Sequence, residues 1–151
     1  MNSINLLIVD DEKRFLSTAK RLLDKRGMDT TICSNGPDAL KILEECSIDV
    51  VLLDIKMPGG IDGMELLRRI RQERPDIEVI LLTGHVSVES AVEGLKLGAF
   101  DYLLKPLTIS EIQAKVEEAF ARKQTKKEVA RREEVDEGTD RPLTAGTRST
   151  G

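Results

Sequence analysis

The residues best suited to chemistry are few and lie far apart in the chain. They are the adjacent pair Asp10 and Asp11, then Asp54, Thr83 and Lys105. Three carboxylates gathered in one place repel one another and resist full ionisation. A hard divalent cation relieves that repulsion. Mg2+ takes oxygen ligands in octahedral geometry and keeps several of its waters. Two carboxylates, a backbone carbonyl and water would complete its shell and leave room for phosphate oxygens. Lys105 supplies a mobile ammonium that reaches one phosphoryl oxygen, and the Thr83 hydroxyl can donate to another. Asp54 is then the nucleophile, since a carboxylate accepts a phosphoryl group as an aspartyl phosphate. The cation and Lys105 would stabilise charge on the transferring group, which is the main task in phosphoryl transfer.

Such a site needs elements that bring remote residues together, and the hydrophobic pattern supplies them. Short apolar runs alternate with helical periodicity. The runs are Ile4–Val9, Thr30–Cys33, Asp49–Leu53, Val79–Leu82 and Tyr102–Leu104. Runs apolar on both faces suit a sheet covered on both sides. A helix is expected over Glu12–Arg26, with Phe15, Ala19, Leu22 and Leu23 on one stripe. A second, Asp38–Glu45, follows Gly36-Pro37, proline being favoured at the first helical position. Met64–Arg74 ends at Pro75, whose ring clashes with a continuing helix. Ser87–Leu97 is capped by Ser87 and stopped by Gly98. The last helix opens on a capping box at Ser110–Gln113 and carries Ile112, Val116 and Ala119 on one face. This alternation predicts an α/β fold with a doubly wound parallel sheet and right-handed crossovers.

In an open parallel sheet, ligands bind beyond the carboxyl ends of the strands. Asp10 and Asp11 follow the first run, Asp54 the third, Thr83 the fourth, and Lys105-Pro106 the fifth. Taken singly, each has a plainer account. An Asp at a strand end is usually a turn or cap residue, and Asp11 is well placed to cap the first helix. The joint placement at one sheet edge is what carries the reading.

Composition narrows the alternatives. The 151 residues amount to one domain. A net charge of −4 argues against sequence-independent nucleic-acid binding, which relies on a basic face. With no Trp, one Tyr and three Phe, few side chains are free to stack on bases or flavin rings. Cys33 and Cys46 lack a metal or redox spacing and read as small core residues of a reducing compartment. The first apolar stretch is interrupted by Asn5 and stopped by Asp10, too short for a membrane span, so a cytoplasmic protein is expected. Charge is uneven: residues 1–121 hold 15 basic and 21 acidic side chains, and residues 122–151 hold 8 and 6. The boundary at 121 separates the folded domain from a segment expected to extend the last helix, with Glu128 and Arg132 paired at i,i+4. Its end, GTDRPLTAGTRSTG, reads as a disordered tail.

The stretches LLIVDDE (6–12), VVLLDIKMPGG (50–60), DGMELL (62–67), VILLTGH (79–85) and GAFDYLLKPL (98–107) together resemble bacterial response-regulator receiver domains over roughly residues 3–121. The resemblance implies a flavodoxin-like five-stranded parallel sheet in the order 2-1-3-4-5. It implies that Asp54 is the phosphoacceptor. Mg2+ would be bound directly by Asp11, Asp54 and the Lys56 backbone carbonyl, with Asp10 acting through water. Thr83 and Tyr102 match the switch hydroxyl and switch aromatic, Lys105 the phosphate-binding lysine, and the Lys105-Pro106 bond is expected to be cis. Lys56 and His85 sit where receivers tune hydrolysis. One departure is visible: MPGGIDG carries one residue more than usual between Pro58 and Gly63, which Gly59 and Gly60 can absorb.

The implied partners are a histidine kinase or histidine phosphotransfer protein and a downstream protein target. A phosphorylation-dependent homodimer is compatible with the family, and no direct nucleic-acid or membrane binding is expected. The stretch GHVSVESAVEGLKLGAFDYLLKP resembles receivers of modular transcriptional activators, yet no output motif follows it, so a stand-alone receiver rather than an enzyme is expected. Three rival functions fit the residues less well. A Mg2+-dependent phosphohydrolase would want an acid/base Asp two residues past the nucleophile, where Lys56 stands. A flavodoxin-like cofactor binder would want a phosphate-cradling loop where Asp10-Asp11-Glu12 stands. A pseudo-receiver that only docks would not need the intact acidic set.

Overall fold

The computed structural model describes residues 3–57, 61–84 and 88–150, and for 136–150 the backbone alone. Five strands and five helices alternate: β1 (Asn5–Val9), α1 (Lys13–Lys25), β2 (Asp29–Cys33), α2 (Gly36–Glu45), β3 (Val50–Asp54), α3 (Gly63–Glu73), β4 (Glu78–Thr83), α4 (Val88–Lys96), β5 (Asp101–Leu104) and α5 (Ile109–Thr150). The strands form one parallel sheet in the order β2-β1-β3-β4-β5, as expected from the alternation and the family resemblance.

Strand periodicity sorts the apolar residues into two cores. Leu7, Val9, Val51, Leu53, Val79 and Leu81 point to the face covered by α2, α3 and α4, where Ala39, Leu43, Leu66, Leu67, Ile70 and Ala91 meet them. Their neighbours Leu6, Ile8, Val50, Leu52, Ile80 and Leu82 point to the other face and meet Leu16, Ala19, Leu23, Ile112, Val116 and Ala119 of α1 and α5. Because successive strand residues alternate faces, a run such as VVLL must be apolar throughout to fill both layers. Each fully buried Leu or Ile contributes about 1.5–3 kcal/mol over an exposed one, so the central strands are the most firmly held part of the fold.

Local chemistry sets where each helix starts. Asn35 caps α2 by accepting from the Asp38 amide at 2.8 Å, with Pro37 in the first turn. Asp62 caps α3 by accepting from the Glu65 amide at 2.9 Å. Three expectations are corrected. The N-cap of α1 is Glu12, which makes no side-chain cap bond, and it is Asp10 rather than Asp11 that accepts the Glu12 amide at 2.9 Å. The capping box of α5 is Thr108 with Glu111: the Thr108 amide donates to Glu111 Oε1 at 2.9 Å and the Glu111 amide to Thr108 Oγ1 at 3.1 Å. Two overlapping Ser/Thr-x-x-Glu/Gln spacings occur there, and the earlier wins because Thr108 immediately precedes the helix. Cys46 is exposed at the end of α2 rather than in the core; Cys33 is half-buried.

Gly98 ends α4 with φ +108°, as its stop position demands. The expected Ser87 cap, His85 and the lengthened stretch Pro58–Gly60 lie outside the described residues. Helix α5 crosses the expected boundary at 121 and runs on to Thr150, so the backbone of 138–150 is helical where a disordered tail was expected. Among the described residues, no helix is long and apolar enough to cross a membrane.

Candidate phosphoacceptor site

Strand register decides which residues share the carboxyl edge. Val9 pairs with Leu53, Asp54 with Leu82, and Thr83 with Leu104. The chain beyond each strand end is held in line by backbone bonds: the Asp10 amide to the Cys33 carbonyl, the Ile55 amide to Leu82, and the Lys105 amide to Thr83. Asp10, Asp54 and Thr83 therefore sit side by side, with Lys105 across from them.

Carboxylate oxygens of Asp10, Asp11 and Asp54 all lie within 4.8 Å of one another. Asp10 is fully buried and Asp54 nearly so, whereas Asp11 is exposed. Lys105 Nζ donates to Asp10 Oδ2 at 2.7 Å and stands 3.7 Å from Asp54 Oδ2. The Lys56 amide donates to Asp54 Oδ1 at 3.1 Å. Lys56 and Asp11 also wall an open depression together with Ile55, Met57 and Asp62. Thr83 is buried, and its hydroxyl donates to the Gly84 carbonyl at 2.9 Å. Tyr102 is half-buried against the α2–α4 core, two residues before the exposed Leu104 that closes β5. The Lys105-Pro106 peptide bond is cis.

One ammonium faces three carboxylates, so the site is short of positive charge. Burial pushes the Asp54 carboxyl up to about 6; the charge of Asp10 adds to this, while Lys105 and the Lys56 amide pull the other way. Burial would lower the Lys105 ammonium, but its hydrogen bond to Asp10 and the charges of Asp10, Asp54 and Glu12 outweigh that and hold it above its usual value. At neutral pH Asp54 is thus mostly ionised, yet more basic than an ordinary carboxylate. That is a useful property in a nucleophile. The donor set is oxygen only and carries excess negative charge, which fits a hard divalent cation.

The sequence-selected residues Asp10, Asp11, Asp54, Lys56, Thr83 and Lys105 thus meet at one edge, with Tyr102 behind them on β5. Reasoning from sequence missed three neighbours. Glu12 Oε2 lies 3.5 Å from Lys105 Nζ. The Phe15 ring lies under that same ammonium, 5.3 Å from centroid to Nζ. Gly63 packs against the backbone of Asp54 and Ile55 so closely that a Cβ there would strike both carbonyl oxygens. Glu12, one residue past the Asp pair, and Gly63, in the stretch DGMELL, carried a signal; Phe15 was marked only as part of the α1 stripe. At Gly84, by contrast, a Cβ meets nothing within 4 Å.

Comparison with known proteins places this geometry. The family model for the response regulator receiver domain matches residues 6–117. Regulatory protein AtoC of Escherichia coli K12 is 42% identical over 133 residues, covering 85% of this chain and 28% of that protein. The DNA-binding transcriptional regulator NtrC of the same organism is 40% identical over 114 residues, covering 76% of this chain and 24% of that protein. The chain thus spans about a quarter of the length of these curated relatives. A receiver domain protein from Clostridium thermocellum superposes with a TM-score of 0.76 at 38% identity, covering 81% of this chain and 98% of that one. Since the family model takes in most of the chain, from β1 into α5, the chain belongs to the response regulator receiver domain family.

Proposed function

We propose that the protein accepts a phosphoryl group on Asp54 from a histidine kinase or histidine phosphotransfer protein, in a Mg2+-dependent reaction, and thereby controls a partner protein. The observation that carries this is the placement of Lys105 Nζ between Asp10 and Asp54, 2.7 Å from one and 3.7 Å from the other. It is a cation already within reach of any phosphoryl oxygen on Asp54. In the transfer, an Asp54 carboxylate oxygen forms the new O–P bond as the P–N bond to the donor histidine breaks. The freed imidazole leaves with the electron pair and takes up a proton. Lys105 turns from Asp10 toward the transferred group, and the Thr83 hydroxyl exchanges the Gly84 carbonyl for a phosphoryl oxygen. Asp11, Asp54 and the Lys56 carbonyl would hold Mg2+, with Asp10 acting through water, and the ion when bound supplies positive charge to the phosphoryl oxygens.

On this reading the protein is a phosphoacceptor that assists its own phosphorylation and dephosphorylation, not a turnover enzyme, and it works in the cytoplasm. A phosphohydrolase of this chemistry would want an acid/base Asp two residues past the nucleophile, and Lys56 stands there. Residues 122–151 are taken as a segment appended to the receiver. Incubation with acetyl phosphate and Mg2+ should add one phosphoryl group by mass, and Asp54→Asn should abolish the gain. Equal labelling of the Asn variant would remove Asp54 as acceptor.

A further inference from the structure

The aspartates are not the only groups that hold Lys105. Its ammonium stands over the face of the Phe15 ring, 5.3 Å from the centroid, a distance within cation–π range. Phe15 lies in the first turn of α1 and is half-buried against the α1/α5 core. The Lys105 side chain is 23% exposed, so the contact is made partly out of water, where such attraction is stronger.

We infer that Phe15 is a positioning residue for phosphoryl transfer: its ring face holds the Lys105 ammonium within reach of both Asp10 and Asp54. The inference rests on the phosphoacceptor reading of Asp54. The physical reason is a choice of positions. Lys105 has three carboxylates to follow, at 2.7, 3.5 and 3.7 Å, and the second of these, Glu12, is exposed and leads out toward solvent. An aromatic face attracts the cation without neutralising it or donating to it. The ammonium therefore keeps its donors for oxygen while its range is restricted. An aliphatic residue of similar size would fill the core but offer no such attraction, and Lys105 would spend more time with Glu12 and water. Phe15 touches neither phosphorus nor the reacting oxygens, so its effect must pass through Lys105.

The test measures initial labelling rates with acetyl phosphate and Mg2+ in the full chain. Phe15→Leu keeps apolar volume and removes the π face; Phe15→Tyr keeps the face. Phe15→Leu should slow labelling about 3- to 10-fold, and Phe15→Tyr should stay within about 2-fold of the parent. In a Lys105→Ala background, Phe15→Leu should cause no further loss. The Lys105 ε-methylene protons should show a ring-current shift in the parent and Phe15→Tyr proteins that disappears in Phe15→Leu. Equal slowing in both backgrounds would make Phe15 merely structural, and an unchanged rate in Phe15→Leu would refute the inference outright. A parent protein that is not labelled, or is labelled as well after Asp54→Asn, would instead sink the phosphoacceptor reading, and this inference with it; the ring-current arm would still report whether the ring and ammonium meet.

Discussion

Asp54 holds its place at a cost that can be measured. Its carboxyl is raised to about 6, above the ordinary value of 3.8, chiefly by burial and then by Asp10. Between these two values the folded protein binds more protons at Asp54 than the unfolded chain does, so stability contributed by this group is fully present below pH 4 and falls as pH rises through about 6. Without divalent cation, Asp54→Asn should therefore be more stable than the parent at pH 7, by about 1–3 kcal/mol. The gap should close as pH falls toward 4, and in the parent it should shrink when Mg2+ is added, since a ligand of the folded state stabilises it. Denaturant midpoints at pH 4, 5, 6 and 7 check this, and a gap independent of pH would contradict it. The place of Asp54 at a strand end was legible because VVLL ends on it, as LLIV ends on Asp10. Its elevated basicity was not, because that depends first on how deeply the fold buries the carboxyl and then on its nearness to Asp10, 44 residues away in the chain.

The helices and strands position the site through contacts that a local pattern shows only in part. Contiguous apolar runs revealed β1, β3 and β4, but β4 begins at Glu78, a residue earlier than its apolar run. A carboxylate looks like a poor strand residue. It is 1% exposed here because α5 brings Lys126 to within 3.0 Å of it and Arg122 to 3.9 Å, partners invisible to a ten-residue window. The start of α3 carries a similar hidden constraint. Gly63 abuts the carbonyl oxygens of Asp54 and Ile55 and the Ile55 Cα, all backbone atoms that cannot rotate away. Gly63→Ala must push α3 off the end of β3 or distort the turn that carries Asp54. It should destabilise the fold by about 2–4 kcal/mol and slow phosphorylation as well. Gly84→Ala, where a methyl meets open space, is the matched control and should shift the denaturant midpoint far less. Comparable losses in the two variants would mean that the contact at Gly63 relaxes easily.

Across the whole molecule, the two edges of the sheet are held in opposite ways. At the carboxyl edge, carboxylates crowd together with one ammonium. At the amino edge Asp49 and Glu78 each have a cation: Lys123 pairs with Asp49 at 2.6 Å, beside the start of β3, and Lys126 and Arg122 meet Glu78 at the start of β4. Asp49 also accepts the Asn5 amide at 2.9 Å, so three strand starts and α5 are tied at this end. Removing one partner of a buried pair leaves an uncompensated charge, which makes this edge resist rearrangement. The opposite side of the molecule is less tied down. Val88, Val92 and Leu104 are exposed on α4 and β5, and Tyr102 on β5 is only half-buried. A phosphoryl group on Asp54 adds about −1.5 to −2 charge at the crowded edge, and the response should travel where packing yields. Hydrogen exchange of the protein carrying a beryllofluoride phosphate mimic should change in α4 and β5, while amides of 120–127 in α5 keep their protection. Thr83→Ala should still bind the mimic at Asp54 but lose most of the change in α4 and β5, because no hydroxyl moves to the phosphoryl oxygens. Lys123→Ala with Lys126→Ala should let the change spread into 120–127. An unaltered α4 and β5 on binding the mimic, or a response spread evenly along α5 in the parent, would overturn this division of the molecule into a held edge and a yielding one.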